Sequence, residues 1–427
     1  MACAPRLLRR YRAFPDPRRP PVHLRGEPVR RPRLHPARGQ RALRRPGTPG
    51  RRRLPPHDPR RRAQAARNPS VLHRPGRGPP GDDDLGAGAV RIAFLVSAVA
   101  DEKDIYTTTA LAREAARRGH DVAYVDIDGL TVAPDGRMHA VARHVRSPHD
   151  GPADFLRKVV ATVPEPLAVE KLDVLMLRNT PAFDALRRPW AQPVGHLFGE
   201  LARRSGVVVL SDPRGLALAG PDKLYTLRFP ERLRPRTLIT RDVDAVREFV
   251  GDLAGDAILK PLHGCCGQGV FLLVRGDPNV RPIFEAVAAH GYAVVQEYLP
   301  ANERGSHRLF MLDGEPLTAG GSIAAMRLLP RDGEIRSNFG VAGTIAAPDP
   351  DDGTAEVLHE IAEAAGPVLA ADGMFLAALD IVGGKILEAG LWSPGGLRGA
   401  QRLAGADFVG AVIDAVTGRL AAAGAEG

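Results

Sequence analysis

The sequence predicts an α/β domain followed by a larger α+β region. Residues Arg91-Ile92-Ala93-Phe94-Leu95-Val96, Thr107 to Arg118 and Asp121 to Asp126 read as strand, helix and strand, one βαβ unit. After Asp222 the chain is strand-rich with few crossovers, and two glycine-containing hairpins punctuate it. From Val90 onward about 340 residues remain, more than one hydrophobic core organises, so two or three subdomains are expected. The boundaries predicted are 90–215 for the first domain and 216–427 for the second.

The first 89 residues stand apart. Residues 1–90 hold 23 arginines, no lysine and six acids, whereas residues 91–427 hold 36 basic and 43 acidic residues. The pI near 10.0 therefore belongs to the N-terminal segment. Arginine mixed with proline and glycine, without lysine or an aromatic rhythm, does not favour a nucleic-acid-binding arm. Ser70 is the sole serine before Ser97, which argues against a transit peptide. The segment reads as a disordered extension. Its composition also matches out-of-frame translation of GC-rich DNA, for which a start near Val90 fits. Cys3, Cys265 and Cys266 make no disulfide framework and suit a reducing, cytoplasmic setting. The apolar run Ile92 to Ala100 is far short of a membrane helix.

The loop after the first strand, Ser97 to Asp104, lacks G-x-G-x-x-G, so a dinucleotide fingerprint is absent. Val174-Leu175-Met176-Leu177 is a strand delivering Arg178 into a turn, and Val207 to Leu210 ends at Ser211-Asp212-Pro213. Ligands bind beyond strand ends in such sheets, which makes Arg178 a candidate to grip a substrate carboxylate.

In the second region Ala257-Ile258-Leu259 and Val270 to Val274 bracket Lys260-Pro261-Leu262-His263-Gly264-Cys265-Cys266-Gly267-Gln268-Gly269. The lysine precedes the glycines and no helix follows, unlike a Walker loop. A glycine-rich hairpin tip offering backbone N–H groups, with Lys260 at its base, is a phosphate-gripping element. His263 with two adjacent thiols lacks metal-ligand spacing. A helix from Val280 to His290 leads to the strand Ala293 to Leu299, closed by Pro300, whose polar end can present backbone groups to a nucleobase. Leu309 to Leu317 is a hairpin with a type I′ turn at Asp313-Gly314.

Leu379-Asp380-Ile381-Val382-Gly383-Gly384-Lys385-Ile386-Leu387-Glu388 carries one carboxylate on each arm of an apolar hairpin. A three-residue loop, Gly383 to Lys385, would pair Val382 with Ile386, Ile381 with Leu387 and Asp380 with Glu388, placing both carboxylates on one face. A two-residue loop would put them on opposite faces. Side by side, they need a cation between them, and oxygen ligands of this kind suit Mg²⁺ bound with substrate phosphates.

From Arg91 to about Leu420 the chain resembles the bacterial glutathione synthetases of the ATP-grasp superfamily. The likeness rests on Leu177-Arg178-Asn179, Asp222-Lys223-Leu224-Tyr225, Lys260-Pro261-Leu262 with Gly267-Gln268-Gly269, and Gln296-Glu297-Tyr298-Leu299-Pro300. Arg336-Ser337-Asn338, Leu379-Asp380-Ile381-Val382-Gly383 with Glu388, and Ser393-Pro394 complete it. It implies an N-terminal α/β (pre-ATP-grasp) domain and a two-lobed ATP-grasp domain, the latter divided at roughly 222–300 and 301–427. It also implies ATP-dependent amide formation through an acyl phosphate, with γ-glutamylcysteine as the acid and glycine as the amine. Lys223 and Lys260 are assigned to the phosphates and Gln296 to Leu299 to the adenine side. Gly264, Gly267, Gln268, Gly269 and Arg308 join them in binding ATP. Asp380 and Glu388 become ligands of Mg²⁺ (or Mn²⁺), Arg336 and Asn338 the catalytic pair, and Arg178 and Ser393 substrate contacts. Small-molecule partners and a homo-oligomer follow. The chain departs from the family's pattern at Gly390, where a third metal ligand would be asparagine, and at Ser306 ahead of Arg308. It departs again at Leu328 and at Cys265-Cys266. An ATP-grasp ligase for another acid and amine, and an ATP-binding protein of weakened catalysis, are the other readings.

Overall fold

A computed structural model describes residues 88–220, 222–264, 267–289, 291–336, 344–349 and 353–425. The arginine-rich extension, Cys265, Cys266 and Asn338 lie outside the described residues. The described residues belong to one compact unit.

Six strands make the first sheet: β1 (Arg91–Val96), β2 (Asp121–Val132), β3 (Met138–His144), β4 (Glu165–Ala168), β5 (Val174–Leu177) and β6 (Val208–Leu210), in the order β4-β3-β2-β1-β5-β6. Parallel pairing of β1 with β2 and β5 confirms the βαβ unit, and its helix α1 spans Thr107–Arg117. The second strand runs to Val132, six residues beyond the expected end, because its outer half pairs antiparallel with β3 after a register shift. Helices α2 (Pro152–Ala161), α3 (Pro181–Arg187), α4 (Val194–Arg204) and α5 (Pro213–Ala219) complete this part. Alternate residues of β1 feed two separate cores: Ala93 and Leu95 join one, Ile92, Phe94 and Val96 the other. Both cores continue into the C-terminal sheet through Leu309, Met311 and Leu379 on one side and Phe310, Met326 and Ala378 on the other.

After α6 (Asp222–Tyr225) comes a four-stranded sheet of β7 (Thr237–Thr240), β8 (Ala257–Pro261), β9 (Phe271–Leu273) and β10 (Ala293–Glu297), ordered β7-β10-β8-β9, with helices α7 (Val243–Asp252) and α8 (Val280–Ala288). Its core, from Val243 to Val295, draws on this lobe alone. The predicted glycine loop joins β8 to β9 as an antiparallel hairpin.

The last sheet contains β11 (Ser306–Leu312), β12 (Glu315–Pro316), β15 (Ala325–Leu329), β16 (Thr344–Ala346), β17 (Leu376–Val382) and β18 (Lys385–Gly390). Between its members lie the small hairpin β13 (Thr318–Ala319) and β14 (Ser322–Ile323), and helix α9 (Thr354–Ala371). Helices α10 (Leu397–Ala404) and α11 (Phe408–Ala425) end the described chain. Asp313 and Gly314 both have positive φ, 52° and 85°, as a type I′ turn requires.

The β17–β18 hairpin corrects one expectation. The loop has two residues, Gly383 (φ 54°) and Gly384 (φ 75°), with Val382 facing Lys385 and Ile381 facing Ile386. A register shift after Asp380 then restores the Asp380–Glu388 pair. Two adjacent glycines fit the left-handed turn without strain, and the surplus residue, Leu387, is absorbed as a bulge. The carboxylates end side by side, but for a different reason than an odd loop.

Candidate active site

A cleft forms where the glycine hairpin faces the last sheet. Lys260 sits on β8 and is 8% exposed; its Nζ donates to Gln296 Oε1 at 3.1 Å, and Gln296 Nε2 donates to Thr237 Oγ1 at 3.1 Å. Burial pushes the Lys260 ammonium down to about 8, opposed by the attraction of Glu388 and Asp380. Lys223, delivered by α6, donates to the carbonyls of Pro261 at 2.6 Å and Gly264 at 3.1 Å and so braces the base of the glycine loop. Arg336 holds the same loop from the other side. Its Nη1 donates to Gly267 O at 2.9 Å, while Nε and Nη2 bind Glu334, whose carboxyl lies below its usual range with burial opposed by these bonds. Gly264, Gly267, Gln268, Gln296, Glu297, Tyr298 and Leu299 line the cleft. Gly269 does not, packing near Pro261 instead. The Glu297 carboxylate accepts from Arg236 N and lies 3.8 Å from Lys385 Nζ.

Asp380 and Glu388 also line this cleft. Arg308, expected among the ATP contacts, lines the second cavity described below. It stands opposite Asp380 across β11 and β17, grips both carboxylate oxygens at 2.7 Å, and donates to Gly395 O at 3.0 Å. Pairing of β11 with β17 aims this arginine at a carboxylate 72 residues away. Among the described residues no cluster of three or more His, Cys, Asp or Glu could hold a metal alone. Two carboxylates nonetheless fit Mg²⁺, which is usually bound by one or two carboxylates together with phosphate oxygens and water.

A second cavity, of about 840 Å³, is also lined by the two carboxylates. Lys223, Gly264, Asp380 and Glu388 line both spaces, so the two meet at the charged groups. Arg178 lines the second cavity at the end of β5 and is 4% exposed. Its Nε donates to Thr108 Oγ1 and its Nη2 to Pro394 O, leaving Nη1 without a protein partner among the described residues. Burial pushes this guanidinium down to about 10, opposed chiefly by Glu102, whose own carboxyl burial raises to about 7. Ser393 and Gly390 also line this space.

Several lining residues escaped the sequence reading: Ile258, Val270, Ile335 and Leu387 on the apolar walls of the first cleft, and His196 and Trp392 in the second. Ile258 carried a usable signal, standing two residues before Lys260 on the same strand face. Asn302 lines the first cleft and ties it together by donating to Ile335 O.

Comparison with known proteins gives a consistent family. A family model described as prokaryotic glutathione synthetase, N-terminal domain, matches residues 90–217, and one described as prokaryotic glutathione synthetase, ATP-grasp domain, matches residues 222–405. The chain is 31% identical over 315 residues to a glutathione synthetase of Vibrio cholerae, covering 73% of this chain and 92% of that one. It is 32% identical over 332 residues to one of Gloeobacter violaceus, covering 76% and 96%. Among solved structures, a D-Ala:D-Ser ligase from Enterococcus faecalis aligns with a TM-score of 0.52 at 14% identity, covering 76% of this chain and 97% of that one. A D-cycloserine synthetase aligns at 0.51 and 18% identity, covering 77% and 99%.

Proposed function

We infer, from a chain that belongs to the prokaryotic glutathione synthetase family and is an ATP-dependent carboxylate-amine ligase, that the acid is γ-glutamylcysteine and the amine glycine. The observation that carries this reading is the meeting of two cavities at one charged junction. A nucleotide in the first would present its terminal phosphate to an acid in the second. Lys260 and Lys223 would hold the phosphates, with the N–H groups of the glycine loop above them, while Arg178 Nη1 would orient a carboxylate of the acid. Asp380 and Glu388 would hold Mg²⁺, which supplies charge neutralisation of the phosphate oxygens.

The reacting carboxylate attacks the γ-phosphorus, ADP leaves, and the amine then displaces phosphate from the acyl phosphate to give the amide. Negative charge gathers on oxygen throughout, so fixed cations suffice and no side-chain nucleophile is needed. Asn338 is retained as a catalytic candidate on sequence grounds. A cytoplasmic homo-oligomer is the assembly expected, and sedimentation of the full chain tests its size. The functional test is phosphate release from ATP by the full chain. Release that requires both γ-glutamylcysteine and glycine, with the tripeptide identified by mass, supports the reading. Release without any acid, or no tripeptide at saturating substrates, contradicts it.

A further inference from the structure

The guanidinium of Arg178 is buried, and its two protein bonds go to neutral acceptors, Thr108 Oγ1 at 3.1 Å and Pro394 O at 3.2 Å. A buried charge of this kind needs a counter-charge nearby. The carboxylate that bears on it is Glu102, in the segment 97–106 that joins β1 to α1. That carboxyl is itself enclosed. Its Oε2 has no hydrogen-bond partner, and the neighbouring Thr109 hydroxyl donates to Lys103 O at 2.8 Å. The segment is tied down by Val99 N, which donates to Asp126 Oδ1 of β2, and by the first turn of α1, whose Thr108 meets Arg178. Asp101 on the same segment and the buried Tyr124 of β2 also face Glu102, and neither supplies positive charge. Lys103 turns to the Tyr106 ring, 5.7 Å from its centroid. Among the described residues the cation acting on Glu102 is Arg178.

A ligand carboxylate on Arg178 would place two anions around one buried guanidinium, and two carboxylates sharing a site do not both stay ionised. We propose that Glu102 is a proton-linked positioning residue: ionised, it balances Arg178 while the acid cavity is empty, and it takes up a proton from solvent when a ligand carboxylate replaces it at the guanidinium. This rests on the ligase reading above, with Arg178 as the anchor of the acid, and adds a proton to the binding step. Burial pushes the Glu102 carboxyl up to about 7 against the pull of Arg178, so satisfying Arg178 from the cavity side raises it further. Between the free and the bound values the complex holds more protons than the empty protein. Affinity for the acid is therefore highest below about pH 7 and falls as pH rises above it.

The full chain and its Glu102→Gln variant are titrated calorimetrically with γ-glutamylcysteine, without ATP, between pH 6.5 and 8.5 in buffers of different ionisation enthalpy. The dipeptide's own groups and the histidines of the cavity titrate alike in both proteins, so the difference between them reports Glu102. The wild type should take up more protons on binding, and its Kd should rise about fivefold more across this range than that of the variant. KM for ATP at a fixed pH should be the same in both. Infrared difference spectra of the wild type at pH 7.5, with and without dipeptide, should gain the band of a protonated carboxyl, a readout independent of how the variant folds. Equal proton uptake in the two proteins and no such band, alongside tripeptide formation, overturn the role of Glu102 and leave the ligase reading standing. Uptake that Glu102→Gln abolishes, without tripeptide formation, overturns the substrate assignment and leaves the role. A dipeptide that does not bind contradicts both.

Discussion

The two cavities that meet at Asp380 and Glu388 are built on opposite plans. In the cleft proposed for the nucleotide the cations already have protein partners: Lys260 with Gln296, Lys223 with two loop carbonyls, Arg336 with Glu334 and Gly267. In the cavity proposed for the acid, Arg178 Nη1 has none among the described residues. A nucleotide is the common reactant of an ATP-dependent fold, and a braced cleft can be preorganised for it. The acid is particular to the enzyme, and on the proposed reading an unpartnered guanidinium N–H is left for its carboxylate to satisfy.

The comparison breaks most readily at the junction. Glu388→Ala and Asp380→Ala should each remove most ligase activity, yet differ in stability. Arg308 and Asp380 form a bidentate pair with side chains only 13% and 11% exposed. Removing Asp380 strands the arginine and should cost about 3 kcal/mol or more, read as a clear fall in Tm. Glu388→Ala should leave Tm nearly unchanged. Equal Tm values for the two variants would show that the Arg308 pair does not matter to folding.

Next in size is the loss of the phosphate grip. Lys260→Ala should weaken ATP binding by about 2–3 kcal/mol in calorimetric titration. An unchanged Kd would remove the lysine from the site. The ammonium also makes binding pH-dependent. Its folded value of about 8 lies below the ordinary 10.5, so between those values the unfolded chain holds more protons, and this group makes the ligand-free protein more stable as pH rises. ATP affinity should move the opposite way, falling above about pH 8, with proton uptake on binding. Titrations at pH 8.5 in buffers of different ionisation enthalpy measure that uptake; none would contradict the depressed value.

The smallest effect concerns Gly390. A Cβ there would meet Ala378 O at 3.7 Å and the Pro394 Cβ at 4.0 Å, ordinary contacts, and Gly390 stands two residues after Glu388 on β18. Gly390→Asn should therefore fold normally and lower the Mg²⁺ concentration for half-maximal activity severalfold, by adding an oxygen ligand. An unchanged magnesium titration would separate this position from the metal.

The nucleotide side was the more legible in sequence because its parts are short and contiguous. Lys260 with its glycines and the Gln296–Leu299 strand end each announce themselves within ten residues. The Asp380–Glu388 pairing was found by way of the wrong loop length, since periodicity cannot reveal a bulge at Leu387. The pairing of Arg308 with Asp380 was not legible, because it depends on β11 lying beside β17, information that strand order alone carries. His196 and Trp392 come from a helix of the first part and a turn after the last strand, and nothing in either local sequence pairs them. Asn338 and the arginine-rich extension fall outside the described residues.

The shared junction makes a chemical demand that isotopes can follow directly. With oxygen-18 in the reacting carboxylate of the acid, attack on the γ-phosphorus and later displacement by the amine transfer one carboxylate oxygen to phosphate. Mass spectrometry should find one labelled oxygen in each phosphate released per amide bond formed, with ADP as the nucleotide product. Unlabelled phosphate, or AMP with pyrophosphate, would contradict an acid and a γ-phosphate meeting at Asp380 and Glu388.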